Sequence, residues 1–223
     1  MIIANPIRAV ILDLDGTLMD TACEIDAALA RTFTELGIAP LSRREVEALI
    51  GRGVRSLVER SLALRGKAVD IEAAVGRFEG HYAALVGTEA RLYPRAAEGL
   101  DLLRARNRKL AVVTNKPRQF TEKLLERAGV ANLFAAVVTG DDGIPRKPAG
   151  DMLAAACAKL GSTPAETLML GDSDNDVLAA RAAGCPVWCV PYGYNEGRPP
   201  ETLACDRLVE TVEDAARLVI VTA

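Results

Sequence analysis

The sequence predicts an α/β fold, with a doubly wound parallel sheet of Rossmann-like type and an inserted small helical domain. Short apolar runs alternate with segments of helical spacing, which is typical of βαβ units. Aromatic residues make up only 4% of the chain while Ala, Val and Leu are abundant, as in helices packed on a buried sheet. One long interval shows helical periodicity alone, and this predicts the insert.

Five apolar runs, several rich in β-branched residues, are the candidate strands. They cover residues 9–14, 110–114, 135–139, 168–170 and 186–190. Leucines with helical spacing, such as Leu100 and Leu103, lie between them. Because each strand candidate is separated from the next by a helical segment, we expect the strands to be parallel.

The interval between the first two candidate strands is too long for one crossover helix. It has helical periodicity, for example at Ile25, Leu29 and Phe33, and lacks a strand signal. We therefore predict that residues 20–88 form a helical domain, called the insert below. Residues 1–19 and 89–223 would form the catalytic α/β core, with Tyr93-Pro94 starting the helix that returns to it.

Charge, cysteine content and hydropathy exclude several classes of protein. The formal net charge is −3 and the basic residues are dispersed, so a nucleic acid is not expected as a partner. Five cysteines without a CxxC pair predict reduced thiols and no zinc site. No segment approaches the roughly 20 apolar residues that span a bilayer, and no signal peptide is evident. We expect a cytoplasmic protein without a membrane partner, either monomer or dimer.

Chemically active side chains follow four of the candidate strands. The carboxyl ends of parallel strands share one edge of a sheet, where ligands bind, so these segments are expected to meet. They bring carboxylates, a hydroxyl group and an ammonium group to one place. The segments are Asp13-Leu14-Asp15-Gly16-Thr17, Thr114-Asn115-Lys116, Lys147-Pro148 and Gly171-Asp172-Ser173-Asp174-Asn175-Asp176.

Each segment alone has an ordinary structural explanation. Two acids can simply end a strand, Thr114 can cap a helix, and Lys147 can be a surface lysine. A calcium loop starting at Asp172 is excluded because its sixth and twelfth positions, which need Gly and Glu, are Val177 and Ala183. The joint occurrence of the four segments, in order after successive strands, favours a functional site.

These segments resemble the four motifs of the haloacid dehalogenase superfamily. The matching stretches are DLDGTLMD from Asp13, VVTNK from Val112, Lys147-Pro148, and GDSDND from Gly171. The insert resembles the cap domain that many members carry after the first motif. Bacterial phosphoglycolate phosphatases are the most similar members, through the stretches TNKP, GDD, DVLAARAAGCP and YGYNEG. Two departures are Ala149-Gly150-Asp151 after Lys147-Pro148, and Arg95 where those relatives have Gly.

The resemblance implies a magnesium-dependent phosphatase that acts on a small-molecule phosphate monoester. Asp13 would be the nucleophile that forms an aspartyl-phosphate, which water then hydrolyses. Asp15 would protonate the leaving oxygen and later activate the water. Mg²⁺ would be held by Asp13, Asp172 and the backbone carbonyl of Asp15.

The remaining motif residues would bind the phosphoryl group or support the site. Lys147 would add a fixed positive charge, while Thr114, Asn115 and the backbone at Gly16 would contact the phosphoryl oxygens. Asp176 would orient Lys147 or the metal site, although an acid at that position can also serve only the N-terminus of a helix.

Substrate choice is expected to depend on the insert. In Gly51-Arg52-Gly53, we hypothesise that Arg52 reaches a carboxylate or hydroxyl group of the substrate. The alternative is a solvated arginine beside glycines that end a helix.

Three functions remain open at this point. The preferred one is hydrolysis of 2-phosphoglycolate to glycolate and phosphate. A sugar-phosphate phosphatase or a phosphomutase would use the same core motifs. A non-catalytic, phosphoryl-accepting signalling domain would also cluster acids, Thr and Lys on a parallel sheet. The order of the motifs disfavours it, because such receiver domains carry their phosphorylated Asp on a middle strand.

Overall fold

A computed structural model describes residues 6–221 of the chain. Its main element is a parallel sheet of six strands, in the order β5-β4-β1-β6-β7-β8. The strands are β1 (Ala9–Leu12), β4 (Lys109–Val113), β5 (Ala136–Val138), β6 (Thr167–Gly171), β7 (Val187–Cys189) and β8 (Arg207–Leu208). All five predicted strands are present. The short edge strand β8 was not predicted, because two residues carry no periodicity that a sequence pattern can detect.

Both faces of the sheet are covered, which makes the fold doubly wound as predicted. On β1, Val10 and Leu12 belong to one buried apolar cluster, whereas Ala9 and Ile11 belong to a second cluster on the opposite face. Successive side chains of a strand point to opposite faces, so a strand buried on both sides needs a continuous apolar run.

The helices of the core connect the strands. They are α5 (Ala96–Ala105), α6 (Arg118–Arg127), α7 (Asp151–Leu160), α8 (Asp174–Ala183) and α9 (Val212–Val221). Helix α5 begins two residues after Tyr93-Pro94, not at this pair as the sequence predicted. Arg95 lies between them in the left-handed conformation, with φ of 68°, and precedes the first helical residue.

The helical insertion is confirmed. Four helices lie between the first two strands of the sheet: α1 (Ala22–Glu35), α2 (Arg43–Glu47), α3 (Val54–Leu64) and α4 (Ile71–Leu85). An antiparallel pair of two-residue strands, β2 (Met19–Asp20) and β3 (Arg91–Leu92), joins the two connections of the insert to the core. The division at residues 19/20 and 88/89 stays a prediction.

Among residues 6–221, no helix is both long enough and apolar enough to cross a membrane.

Candidate active site

The four motif segments meet at the carboxyl edge of the sheet. Asp13 follows β1, Thr114 follows β4 and Asp172 follows β6, while Lys147 comes from the loop between β5 and α7. Strands β4, β1 and β6 are neighbours, so their ends lie side by side. This is the edge at which parallel sheets bind ligands.

Lys147 lies between two carboxylates. Its Nζ is 2.8 Å from Asp13 Oδ1 and 2.7 Å from Asp176 Oδ1. All three side chains are buried. Burial opposes the positive charge of Lys147, but the two carboxylates outweigh it and raise the pKa of this lysine above its ordinary value. Lys147 therefore presents a fixed cation beside the Asp13 carboxylate.

Asp176 holds Lys147 and also caps a helix. Its Oδ2 accepts hydrogen bonds from the backbone N–H of Asp172 at 3.2 Å and from the N–H and Oγ of Ser173 at 3.1 and 2.8 Å. Asp176 is the third residue of α8. The Asp176 side chain therefore contacts Lys147 and also caps the N-terminus of α8.

Asp13, Asp172 and Asp176 form a buried acidic cluster whose ligand atoms lie within 4.8 Å of one another. Burial raises the pKa of Asp13 to about 7, and burial together with the charges of Asp176 and Asp13 raises the pKa of Asp172 to about 8. One Asp176 oxygen pairs with Lys147 and the other caps α8. Asp13 Oδ1 pairs with Lys147 without forming a well-directed hydrogen bond. The carboxylates of this cluster are the oxygen donors that a hard divalent cation prefers.

Asp172 is held by neighbours from two loops. Its Oδ1 accepts a 2.7 Å hydrogen bond from Thr17 Oγ, and its Oδ2 accepts one of 2.8 Å from the Tyr194 backbone N–H. Gly16 has φ of +89°, and a Cβ there would lie 2.5 Å from Asp172 Oδ2; a Cβ on Gly193 would lie 2.2 Å from Asp172 Cβ. Only glycine allows these approaches.

Asp15 points to a lysine that had no assigned role in the sequence interpretation. Lys116 Nζ lies 2.9 and 2.8 Å from the two Asp15 carboxylate oxygens, and Thr21 Oγ donates a 2.6 Å hydrogen bond to Asp15 Oδ1. The same ammonium lies 4.9 Å from the ring centroid of Tyr82 in α4. Lys116 therefore contacts both the core and the insert.

Asn115 connects the core to the insert. Its Nδ2 donates hydrogen bonds of 2.9 Å to the backbone carbonyls of Gly51 and Lys147. Thr114 Oγ accepts a 3.2 Å hydrogen bond from the Lys116 N–H, which orients it at the end of β4. Contact of Thr114 and Asn115 with a phosphoryl group stays a prediction.

Arg52 pairs with a core loop. Its guanidinium contacts the carboxylate of Glu196, which follows β7, and its side chain is half exposed. Arg52 does not line the pocket described next. Its proposed contact with substrate stays a prediction.

A pocket lies between the core and the insert. Asp13, Asp15 and Lys116 are its charged lining residues, among those that the structure describes. The rest of its wall consists of two polar side chains from the core, and of two glycines and six largely apolar side chains from the insert. These are Thr114, Asn115, Gly51, Gly53, Ile25, Ile50, Val54, Leu57, Phe78 and Tyr82.

Several side chains at this site were missed by sequence reasoning. Lys116, Thr17 and Tyr194 lie in stretches that were recognised as motifs but given no chemistry. Asp13 was identified because it follows a strand at the carboxyl edge of the sheet. The same reasoning applies to Tyr194, because the loop after β7 begins at this edge. Tyr82 had no signal, because an aromatic residue on a buried helix face is usually part of the core.

Comparisons with known proteins agree with this geometry. A model of the haloacid dehalogenase-like hydrolases matches residues 10–190. The chain belongs to this family. A phosphoglycolate phosphatase from Nitrosospira multiformis is 42% identical to this hydrolase over 218 residues, or 96% of each chain. Another from Thiobacillus denitrificans is 41% identical over the same shares.

Solved structures support the same assignment. A predicted phosphoglycolate phosphatase from Haemophilus somnus has a TM-score of 0.89 at 27% identity, covering 96% of this hydrolase and 99% of that chain. A mutant of CbbY from Rhodobacter sphaeroides, in complex with xylulose-(1,5)bisphosphate, has a TM-score of 0.79 at 26% identity, covering 93% and 96%. The predicted fold and the prediction of a phosphatase of this family are confirmed.

Proposed function

We propose that this hydrolase converts 2-phosphoglycolate to glycolate and phosphate with Mg²⁺, through an aspartyl-phosphate on Asp13. The observation that carries the proposal is the buried Asp13 carboxylate, which is paired with Lys147 at 2.8 Å and lines the pocket between core and insert. Identity of 42% to a phosphoglycolate phosphatase over nearly the whole chain supports the choice of substrate.

The first step is attack of an Asp13 carboxylate oxygen on phosphorus. Attack between two anions requires positive charge beside them, and the Lys147 ammonium supplies it from a fixed position. Asp13, Asp172 and the backbone carbonyl of Asp15 would hold the magnesium ion. When bound, Mg²⁺ would neutralise charge on the phosphoryl oxygens and on Asp13.

Asp15 then carries the proton. In the first half-reaction it donates a proton to the leaving glycolate oxygen, and in the second it removes one from the water that attacks the aspartyl-phosphate. Its contacts with Thr21 and Lys116 hold the carboxylate at the pocket wall. The apolar groups of the insert exclude bulk water from the intermediate.

The test is phosphate release from 2-phosphoglycolate, p-nitrophenyl phosphate and sugar phosphates, with Mg²⁺ or EDTA. Asp13→Asn is the control, because it keeps the shape of the side chain and removes the nucleophile. We expect release that requires Mg²⁺, is greatest with 2-phosphoglycolate and is lost in the variant. No release from any ester would contradict the proposal and favour the signalling domain.

A sugar-phosphate phosphatase is the second candidate. The CbbY mutant of similar fold was solved with bound xylulose bisphosphate, and this favours a test of sugar phosphates as substrates. A bisphosphate carries two phosphate groups, whereas Lys116 is the sole lysine or arginine among the described residues that line the pocket. This disfavours a bisphosphate as substrate. Release of phosphate from hexose phosphates would identify a sugar-phosphate phosphatase, whereas isomerisation without release would identify a mutase.

A further inference from the structure

We propose that Lys116 selects substrates that carry a carboxylate next to the phosphate ester, by exchanging its partner Asp15 for that carboxylate. The inference rests on the proposed function and deepens it. It assigns to Lys116 the recognition of the carboxylate of the substrate, which belongs to the part that is not transferred.

The first support is the position of the Lys116 charge. The side chain is only 5% exposed, yet it lines the pocket rather than the protein surface. A buried ammonium needs a partner, and here the partner is a carboxylate that also lines the pocket. A substrate carboxylate that enters this space can take the place of the Asp15 carboxylate without leaving Lys116 unpaired.

The second support is the composition of the pocket. The insert contributes Ile25, Ile50, Val54, Leu57, Phe78 and Tyr82 to its wall. None of these side chains carries a positive charge, and five of the six have no hydrogen-bonding group, so a carboxylate that is pressed against those five would be desolvated without compensation. Lys116 is the only described lining residue that offers a positive charge for it.

The third support is the distance of the ammonium from the reacting groups. In 2-phosphoglycolate, three bonds of roughly 1.5 Å separate phosphorus from the carboxyl carbon. Lys116 Nζ lies 2.8 Å from a carboxylate oxygen of Asp15, the residue that is proposed to protonate the leaving oxygen. A cation in this position matches a short substrate and would not match one whose second anion is several carbons away.

The exchange also releases Asp15 for catalysis. While Lys116 contacts both Asp15 oxygens, both oxygens are occupied by this ion pair. When the substrate carboxylate binds Lys116, Asp15 keeps only its Thr21 hydrogen bond, so its carboxyl group is free to turn toward the leaving oxygen. The Tyr82 ring, 4.9 Å from the ammonium, continues to stabilise the cation from the insert side.

The test compares two substrates that differ at one group, 2-phosphoglycolate and 2-hydroxyethyl phosphate, in the full-length protein with Mg²⁺. Lys116→Met removes the charge and keeps the length of the side chain. We expect the ratio of kcat/KM for the two substrates to fall about 100-fold, as for loss of a charge-assisted contact in a buried site. Thr21→Val is the matched control, because it removes the other Asp15 contact. It should lower kcat/KM for both substrates and leave their ratio unchanged.

Three outcomes would overturn the inference, and they differ in what they say about the proposed function. An equal loss on both substrates in Lys116→Met would show that Lys116 only positions Asp15, with the phosphatase function intact. A wild type that releases phosphate without preferring the carboxylate ester would remove the selectivity to be explained. A wild type that releases no phosphate would end the proposed function itself. A thermal unfolding curve checks that the Met variant is folded, and Lys116→Arg should retain most of the preference.

Discussion

Burial and neighbouring acids disfavour the charged form of the carboxylates at this site, and ionising them costs stability when no cation is bound. Asp172 is the clearest case, because it is buried and lies in a cluster with two other acids. Burial and these like charges raise its pKa to about 8, from an ordinary value near 4. The ionised form of Asp172 therefore destabilises the metal-free fold.

Asp172→Asn should stabilise the metal-free protein, and more strongly at higher pH. Between pH 4 and 8 the folded state of the wild type retains a proton that the unfolded state has lost, so wild-type stability falls as pH rises through this range. Asparagine does not titrate and can still bond Thr17 and the Tyr194 N–H. With EDTA, we expect the Tm of the variant to exceed that of the wild type by several degrees at pH 8, or about 1–2 kcal/mol.

The same thermal unfolding experiment contains its control. At pH 5 the difference in Tm should shrink, because this pH is close to the ordinary pKa of Asp172 in the unfolded chain, and little of the penalty has accumulated. Added Mg²⁺ should raise the Tm of the wild type more than that of the variant. An equal difference in Tm at both pH values would contradict this account of the acidic cluster.

At the scale of elements, the first turn of α8 contributes to the candidate active site. Ser173 precedes the helix, and Asp176 at its third position accepts hydrogen bonds from the Ser173 hydroxyl and N–H. The other oxygen of Asp176 contacts Lys147. A capping interaction that normally serves only the helix thus fixes the direction of the site lysine.

Ser173→Ala should therefore lower both stability and activity. Loss of the 2.8 Å hydrogen bond to Asp176 is expected to cost about 1 kcal/mol in the free energy of unfolding. It should also lower kcat by about tenfold, because Lys147 is less well oriented. Thermal unfolding and steady-state phosphate release measure the two effects.

The matched control is the capping box of α2 in the insert. Ser42 there contacts Glu45 in the same arrangement, and neither residue lines the pocket. Ser42→Ala should lower stability by a similar amount and leave kcat unchanged. If both variants lose activity in proportion to their loss of stability, the α8 cap has no special role in orienting Lys147.

At the scale of the whole molecule, the insert shares one buried apolar cluster with the core, and polar contacts fix one of its loops at the pocket. Asn115 bonds the Gly51 carbonyl, and Arg52 pairs with Glu196. Both contacts involve the loop that precedes α3, so this loop closes the pocket on the insert side.

A double-mutant cycle on Arg52 and Glu196 distinguishes a structural role of Arg52 from the predicted contact with substrate. If the pair only holds the insert, then Arg52→Ala and Glu196→Ala should each reduce kcat/KM by about two- to threefold, as expected for a partly exposed ion pair. The double variant should then be no worse than either single variant. A large effect of Arg52→Ala with none for Glu196→Ala would support a direct contact of Arg52 with substrate.

The sequence itself predicted the sheet and the catalytic edge because both follow from local patterns. A strand buried on two faces must be a continuous apolar run, as at residues 9–12, and the residue after such a strand must lie at the carboxyl edge. The positions of Asp13, Thr114 and Asp172 at this edge are therefore set by neighbouring residues in the chain. The long helical interval likewise required an insertion.

Only the tertiary structure decided which of these groups contact each other. Lys116 reaches Asp15 across 101 residues and Arg52 reaches Glu196 across 144, and no local pattern encodes either pair. Tyr82 becomes a pocket residue only because α4 brings its ring against Phe120 of α6 and the Lys116 ammonium, whereas its helical spacing is equally typical of a buried core. Periodicity reports which face of an element is buried, but the partner on the other side is fixed by packing between segments that are distant in sequence.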